Sequence, residues 1–141
     1  MRLICVVLPL LALAGCSSFQ ADPNAVRSVP AERLLAYQKP VEGGGQLVVN
    51  RDLGMLGGGC YVAVLVDRQV AARIGIGEEA RFQVPAGTRV LGIGIDEQDD
   101  TLCGKGRLRR ELAVRVADGE RHSFRIVSQS KGGFDIKPAT P

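Results

Sequence analysis

The side chains most often met in metal, redox and histidine-based chemistry are few: four cysteines and one histidine in 141 residues. Cys5 and Cys16 lie near the start, and Cys60 and Cys103 lie in the body of the chain. Two cysteines left together in an oxidising compartment pair by default, so a disulfide between Cys60 and Cys103 is the first expectation. The alternatives are a metal site and a reactive thiol. A metal site needs more ligands than these two and His122 supply, and an iron–sulfur cluster normally takes four thiolates. Any histidine mechanism must use His122. Its neighbour Ser123 points to the other face of a strand, because successive side chains alternate, so a solvated histidine is the simpler reading. The acidic run Asp96-Glu97-Gln98-Asp99-Asp100 lacks the spacing of a calcium loop. The glycines at 57–59, 75 and 77 do not sit between a strand and a helix, where backbone N–H groups would cradle a phosphate; they read as turns and bulges. Arg107, Arg109 and Arg110 form the densest basic cluster. It suits either a patch for anionic glycolipid or peptidoglycan carboxylates, or a solvated edge that discourages strand pairing. No catalytic set and no cofactor emerges.

The start of the chain accounts for the other two cysteines. Arg2 places one positive charge before an apolar run from residue 3 to 14, closed by the small residues Gly15-Cys16-Ser17-Ser18. This is the order of a secretion signal, and the run is shorter than the ~20 residues of a membrane span. Pro9 inside it further disfavours a spanning helix. The segment Leu13-Ala14-Gly15-Cys16 resembles the lipobox of bacterial lipoproteins. The resemblance implies cleavage before Cys16, a diacylglyceryl group on its sulfur and acylation of its new amine. Two or more acyl chains make a durable membrane anchor where one is marginal. Ser17 stands where the enterobacterial sorting pattern has aspartate for inner-membrane retention, which implies the outer membrane, periplasmic face. Cys5 leaves with the signal. Without Arg2 the 18 basic residues become 17 against 15 acidic ones, a near-neutral balance that speaks against nucleic-acid binding and against a polybasic membrane patch.

The elements that must position these residues follow from hydrophobic pattern and turn chemistry. The expected organisation is a signal over 1–15, a polar flexible tether over 16–29 and one domain over 30–141. Pro30-Ala31-Glu32-Arg33-Leu34-Leu35-Ala36-Tyr37 predicts one short helix, with proline in its first turn and Pro40 just past its end. Strands are predicted over 46–50, 60–67, 69–74, 80–84, 88–96, 108–116, 121–128 and 134–137. Asp67-Arg68 makes a hairpin link, and Pro85-Ala86-Gly87 a turn. Residues 108–116 alternate most clearly. Seven or eight short strands with one N-terminal helix predict an all-β, antiparallel sandwich. Its expected core is Val48, Val62, Val64, Val66, Phe82, Val84, Val90, Leu112, Val114, Phe124, Ile126 and Ile136.

Residues 30–38, 50–54, Gly58-Gly59-Cys60, 77–87, Leu102-Cys103-Gly104 and 132–136 are similar to segments of a family of small, uncharacterised bacterial lipoproteins. The "Val-Pro-Ala-Gly" turn after a hairpin also resembles PEGA-type envelope modules of unknown function. The resemblance implies the sandwich fold, export and the Cys60–Cys103 pair, and supplies no catalytic residue. The functional expectation is therefore a non-enzymatic, lipid-anchored module of the cell envelope. It would attach to the membrane through Cys16 and meet an envelope protein or peptidoglycan. The alternative is an inhibitor of a periplasmic hydrolase such as a lysozyme, which would offer the loop at 54–57 or Gln98-Asp99-Asp100 to an active site.

Overall fold

The computed structural model describes residues 18–54, 59–129 and 133–140. Cys16, Ser17 and residues 55–58 lie outside them, and so does the expected signal. The regular structure of the described chain is nearly all strand, in two sheets. It comprises β1 (Arg27–Ser28), β2 (Gly45–Arg51), β3 (Val62–Val66), β4 (Gln69–Ile74), β5 (Glu78–Val84), β6 (Gly87–Ile95), β7 (Arg109–Val116), β8 (Arg121–Gln129) and β9 (Gly133–Pro138). One sheet has the order β1-β5-β2-β8-β9, the other β4-β3-β6-β7.

The two sheets enclose one core in a sandwich-like arrangement. Alternation decides which side chains fill it. Leu47 and Val49 of β2 face inward beside Phe82 and Ala80 of β5 and Phe124 of β8. Val62, Val64 and Val66 of β3, Leu91 and Ile93 of β6, and Val114 and Val116 of β7 meet them from the other sheet. Val48 is buried as well, but on the outer face of β2 and outside this cluster.

Four expectations change. The described residues form nine strands rather than seven or eight. The pairing is not wholly antiparallel: β2 runs parallel to β8, and β1 parallel to β5. The helix predicted over 30–37 is a single 3₁₀ turn, Ala31–Arg33. After it Leu34 bridges to Ala72 of β4, and the N–H groups of Leu35 and Ala36 both donate to the Ala71 carbonyl, so tertiary pairing captures backbone a helix would use. Finally, Val90 and Leu112 are only half-buried. In β6 the inward set is Leu91 and Ile93, which leaves Val90 on the opposite face, while Leu112 lies on β7, the edge of its sheet.

Residues 18–29, expected as a tether, run along the domain. Phe19 and Leu53 exchange backbone hydrogen bonds of 3.0 and 2.9 Å, Arg27 N–H donates to Gly77 O, and Val29 N–H donates to Glu79 O. Ala21 and Val29 are buried.

The β3–β4 hairpin turns at Asp67 and Arg68, which both take positive φ (47° and 65°). Two left-handed residues match the right-handed twist of the flanking strands, at a cost for residues bearing a Cβ. The Asp67 carboxylate offsets that cost by accepting the Val90 N–H (2.9 Å) and Arg89 (3.1 Å). Arg68 has only an exposed 3.5 Å pair with Glu111, which also holds Arg109 at 3.0 Å. Arg68→Gly is therefore expected to raise stability by about 0.5–1 kcal/mol, read as a higher urea midpoint. An unchanged or lower midpoint would contradict strain at this turn.

Candidate functional site

Strand directions gather the chemically notable residues at one end of the molecule. The ends of β2, β4, β6 and β8 and the starts of β3, β5, β7 and β9 all meet there, as their registers require. Cys60, just before β3, and Cys103, in a second 3₁₀ turn (Leu102–Gly104) before β7, are joined there with their α-carbons 5.5 Å apart, within the range a disulfide demands.

Around the bridge lies a set of charges that strand patterning did not single out. Arg51, inward on the last position of β2, is 2 % exposed. Its Nη1 donates to the carbonyls of Cys60 (2.6 Å) and Ile74 (3.0 Å), and its guanidinium lies 4.9 Å from the centre of the Phe134 ring. It thus ties the end of one sheet to the entry strands of the other. Burial lowers its pKa to about 10, partly offset by Glu78, so it stays charged at neutral pH. Glu78 opens β5 facing inward. Its carboxylate takes two bonds from Arg33 (2.6 and 2.7 Å) and one from the Gly75 N–H. Burial alone would raise the Glu78 pKa, but the Arg33 and Gly75 hydrogen bonds outweigh it and hold the carboxyl below its ordinary value.

Two further pairs flank this centre, both bidentate. Arg73 grips Asp96 at 2.8 and 2.7 Å, and Arg125 grips Asp52 at 3.0 and 2.6 Å. Asp52 and Asp96 are almost completely buried. Two of the guanidinium groups lie close to the Tyr61 ring, that of Arg33 at 4.2 Å and that of Arg73 at 5.2 Å from its centre. Three carboxylates are each clamped by an arginine fork, which is the geometry of rigid cross-linking between strands.

The residues singled out in the sequence fall as follows. Asp96 leaves the acidic run and becomes the buried partner of Arg73, while Glu97 and Asp100 are exposed and Asp99 bonds Thr101. Among the described residues no three histidine, cysteine or acidic side chains come together to hold a metal. His122 sits at the opposite end of the molecule, where a ring nitrogen meets the Glu120 carboxylate at 2.5 Å. Arg109 pairs with Glu111, Arg110 lies 4.0 Å from Asp135, and Arg107 is exposed. Gly75 and Gly77 form the β4–β5 turn, Gly77 with φ +68°. Cys16 lies outside the described residues. The hollows are open: one of about 770 Å³ runs past Val114, Arg115, His122 and Pro138, and an apolar one of about 450 Å³ is bordered by Leu35, Tyr37, Val41 and Pro85. Comparison with family models, curated proteins and solved structures finds no match.

Sequence reasoning missed Arg33, Arg51, Asp52, Tyr61, Arg73, Glu78 and Arg125. The available signal was charge inside apolar strands: Arg73 within AARIG, and Arg51-Asp52 directly after LVVN.

Proposed function

We propose that the chain is a lipid-anchored, non-enzymatic module of the bacterial cell envelope, held on the periplasmic face of the outer membrane. It would present a β-sandwich to an envelope protein or to peptidoglycan, with no nucleic-acid partner. The observation that carries the reading is Leu13-Ala14-Gly15-Cys16 at the end of a short apolar run. Two features support it. The Cys60–Cys103 bridge suits an oxidising compartment. The buried carboxylates at the bridged end are clamped, in a form suited to holding a surface rigid: Asp52, Glu78 and Asp96 each take two hydrogen bonds from one arginine.

The test is Cys16→Ser in the full chain. It is expected to abolish incorporation of labelled fatty acid and to release the protein from membranes or leave it uncleaved. Undiminished labelling would end the reading. Density fractionation should place the wild type with outer membranes; recovery wholly with inner membranes would overturn the sorting inferred from Ser17. Crosslinking in intact envelopes then identifies the partner, and capture of a periplasmic hydrolase would favour an inhibitor instead.

A further inference from the structure

We infer that the end of the domain built by Ser18, Phe19, Leu53 and Ser128 docks directly on the lipid bilayer, with Phe19 seated among the headgroups; this rests on the lipid-anchor reading of Cys16. The argument begins with chain length. From Ser18 onward the backbone is held to the domain. The Ser18 N–H donates to Ser128 O (3.4 Å), and the Ser128 N–H donates to Ser18 Oγ (2.9 Å). Ser18 Oγ in turn donates to the buried Asp52 carboxylate (3.0 Å), and Phe19 and Leu53 are joined in both directions. Only two residue steps separate Ser18 from Cys16, a reach of at most about 7 Å. An acylated Cys16 therefore leaves no slack for the domain to stand away from the membrane. The surface that meets the lipid is the one at which Ser18 is pinned.

That surface is suited to lipid. Phe19 is the most exposed large apolar side chain described, at 63 %, and it projects one residue from the pinned serine. An aromatic ring gains by leaving water for the interfacial zone. Asp52, to which the Ser18 hydroxyl donates, is itself held by the Arg125 fork, so the pinned serine brings no unpaired carboxylate with it. One consequence concerns the loops considered for hydrolase inhibition. Gly54 and the 98–100 loop both belong to this end of the strands, so docking turns them toward the membrane and away from a partner in the periplasm. The face left for a partner is the opposite end, with the Asp67-Arg68 and Pro85-Ala86 turns.

The chain has no tryptophan, which makes a single introduced one a clean probe of depth. Full-length protein carrying Phe19→Trp would be purified from membranes. It would then be reconstituted into phosphatidylethanolamine–phosphatidylglycerol vesicles with or without bromine on the acyl chains near the headgroup. Ala86→Trp, on an exposed turn one strand length away, serves as the comparison. The expected result is a blue-shifted F19W emission that loses most of its intensity to brominated lipid, beside an A86W emission that keeps nearly all of it. Protein that bears the diacylglyceryl mass and floats with vesicles, yet shows F19W no more quenched than A86W, overturns the docking and leaves the anchor standing. Equal strong quenching at both positions also overturns it. Protein lacking the lipid mass overturns the anchor, and the docking with it.

Discussion

Cys60→Ala and Cys103→Ala are each expected to lower the stability of the domain by up to about 4 kcal/mol, the chain-entropy value for a loop of this length. The two residues are 43 apart in sequence, so in the unfolded chain the bridge removes the freedom of a long loop, while in the folded chain it joins segments already held close. Neither cysteine lies within a strand. Cys60 lies between the end of β2 and the start of β3, and Cys103 in the connection from β6 to β7. What fixes Cys60 besides the bridge is its carbonyl, which accepts Arg51 Nη1 at 2.6 Å. Loss of the bridge should thus also loosen Arg51, whose burial is tolerable only while its donors are used. The measurement is urea unfolding of the mature protein from the periplasm, before and after reduction and for each variant. The double variant should be no less stable than either single one beyond a small packing loss, since the second substitution removes no further bond. Thiol counting on denatured, unreduced protein should find neither Cys60 nor Cys103 free. Two titratable thiols from this pair would show that the bridge does not exist in the cell.

What the sequence discloses of this fold is what depends on near neighbours. The alternation of Val62, Val64 and Val66, of Val114 and Val116, and of Phe124 and Ile126 is local, and each set lies in the core. Where an apolar run has no polar partner to set its phase, the pattern fails. In Val90-Leu91-Gly92-Ile93 either set could face inward, and only the pairing with β3 decides for Leu91 and Ile93. The helix predicted over 30–37 has sound local signals, yet they are outweighed by a commitment no local rule contains: the Arg33 guanidinium reaches Glu78, 45 residues on. The Asp52–Arg125 clamp that the parallel β2–β8 pairing creates spans 73 residues. Charged residues in strands read by default as solvent-facing, and Arg73 beside Ala71 and Ala72 shows the cost of that default. Its outward position is where Asp96, at the end of the flanking β6, can reach across β3. Of the candidate site, the cysteine pair was legible because so few cysteines compete, whereas the arginine forks were not, because each needs the register of two distant strands.

Glu78→Ala is expected to cost about 3–5 kcal/mol, the loss typical of stripping one partner from a buried ion pair. The Glu78 side chain is 7 % exposed and that of Arg33 11 %, so water cannot replace what is removed. Arg33 would keep one bond to the Arg73 carbonyl (2.9 Å) and its stacking on Tyr61, but no anion. The Gly75 N–H would lose its acceptor at the tight β4–β5 turn. Arg33→Met alone should be costly for the mirror reason, leaving a carboxylate buried without its fork. The pair replaced together, Glu78→Leu with Arg33→Met, should recover much of the loss, because neither charge is then stranded. Acid gives an independent reading. The Glu78 carboxyl titrates below its unfolded value, since the Arg33 and Gly75 hydrogen bonds outweigh the opposing effect of burial. Its contribution is therefore full above the unfolded carboxylate value near 4.3 and is lost as the pH falls through the lower, folded value. Glu78→Gln, which cannot ionise, should be less stable than wild type at pH 7 and should show a smaller further loss on acidification. The check is urea unfolding of wild type and variants at pH 7 and across the acid limb. A Glu78→Ala loss under about 1 kcal/mol would mean that the pair behaves as a solvated surface bridge, and that this end is held by the Cys60–Cys103 bond, Arg51 and the other two arginine forks.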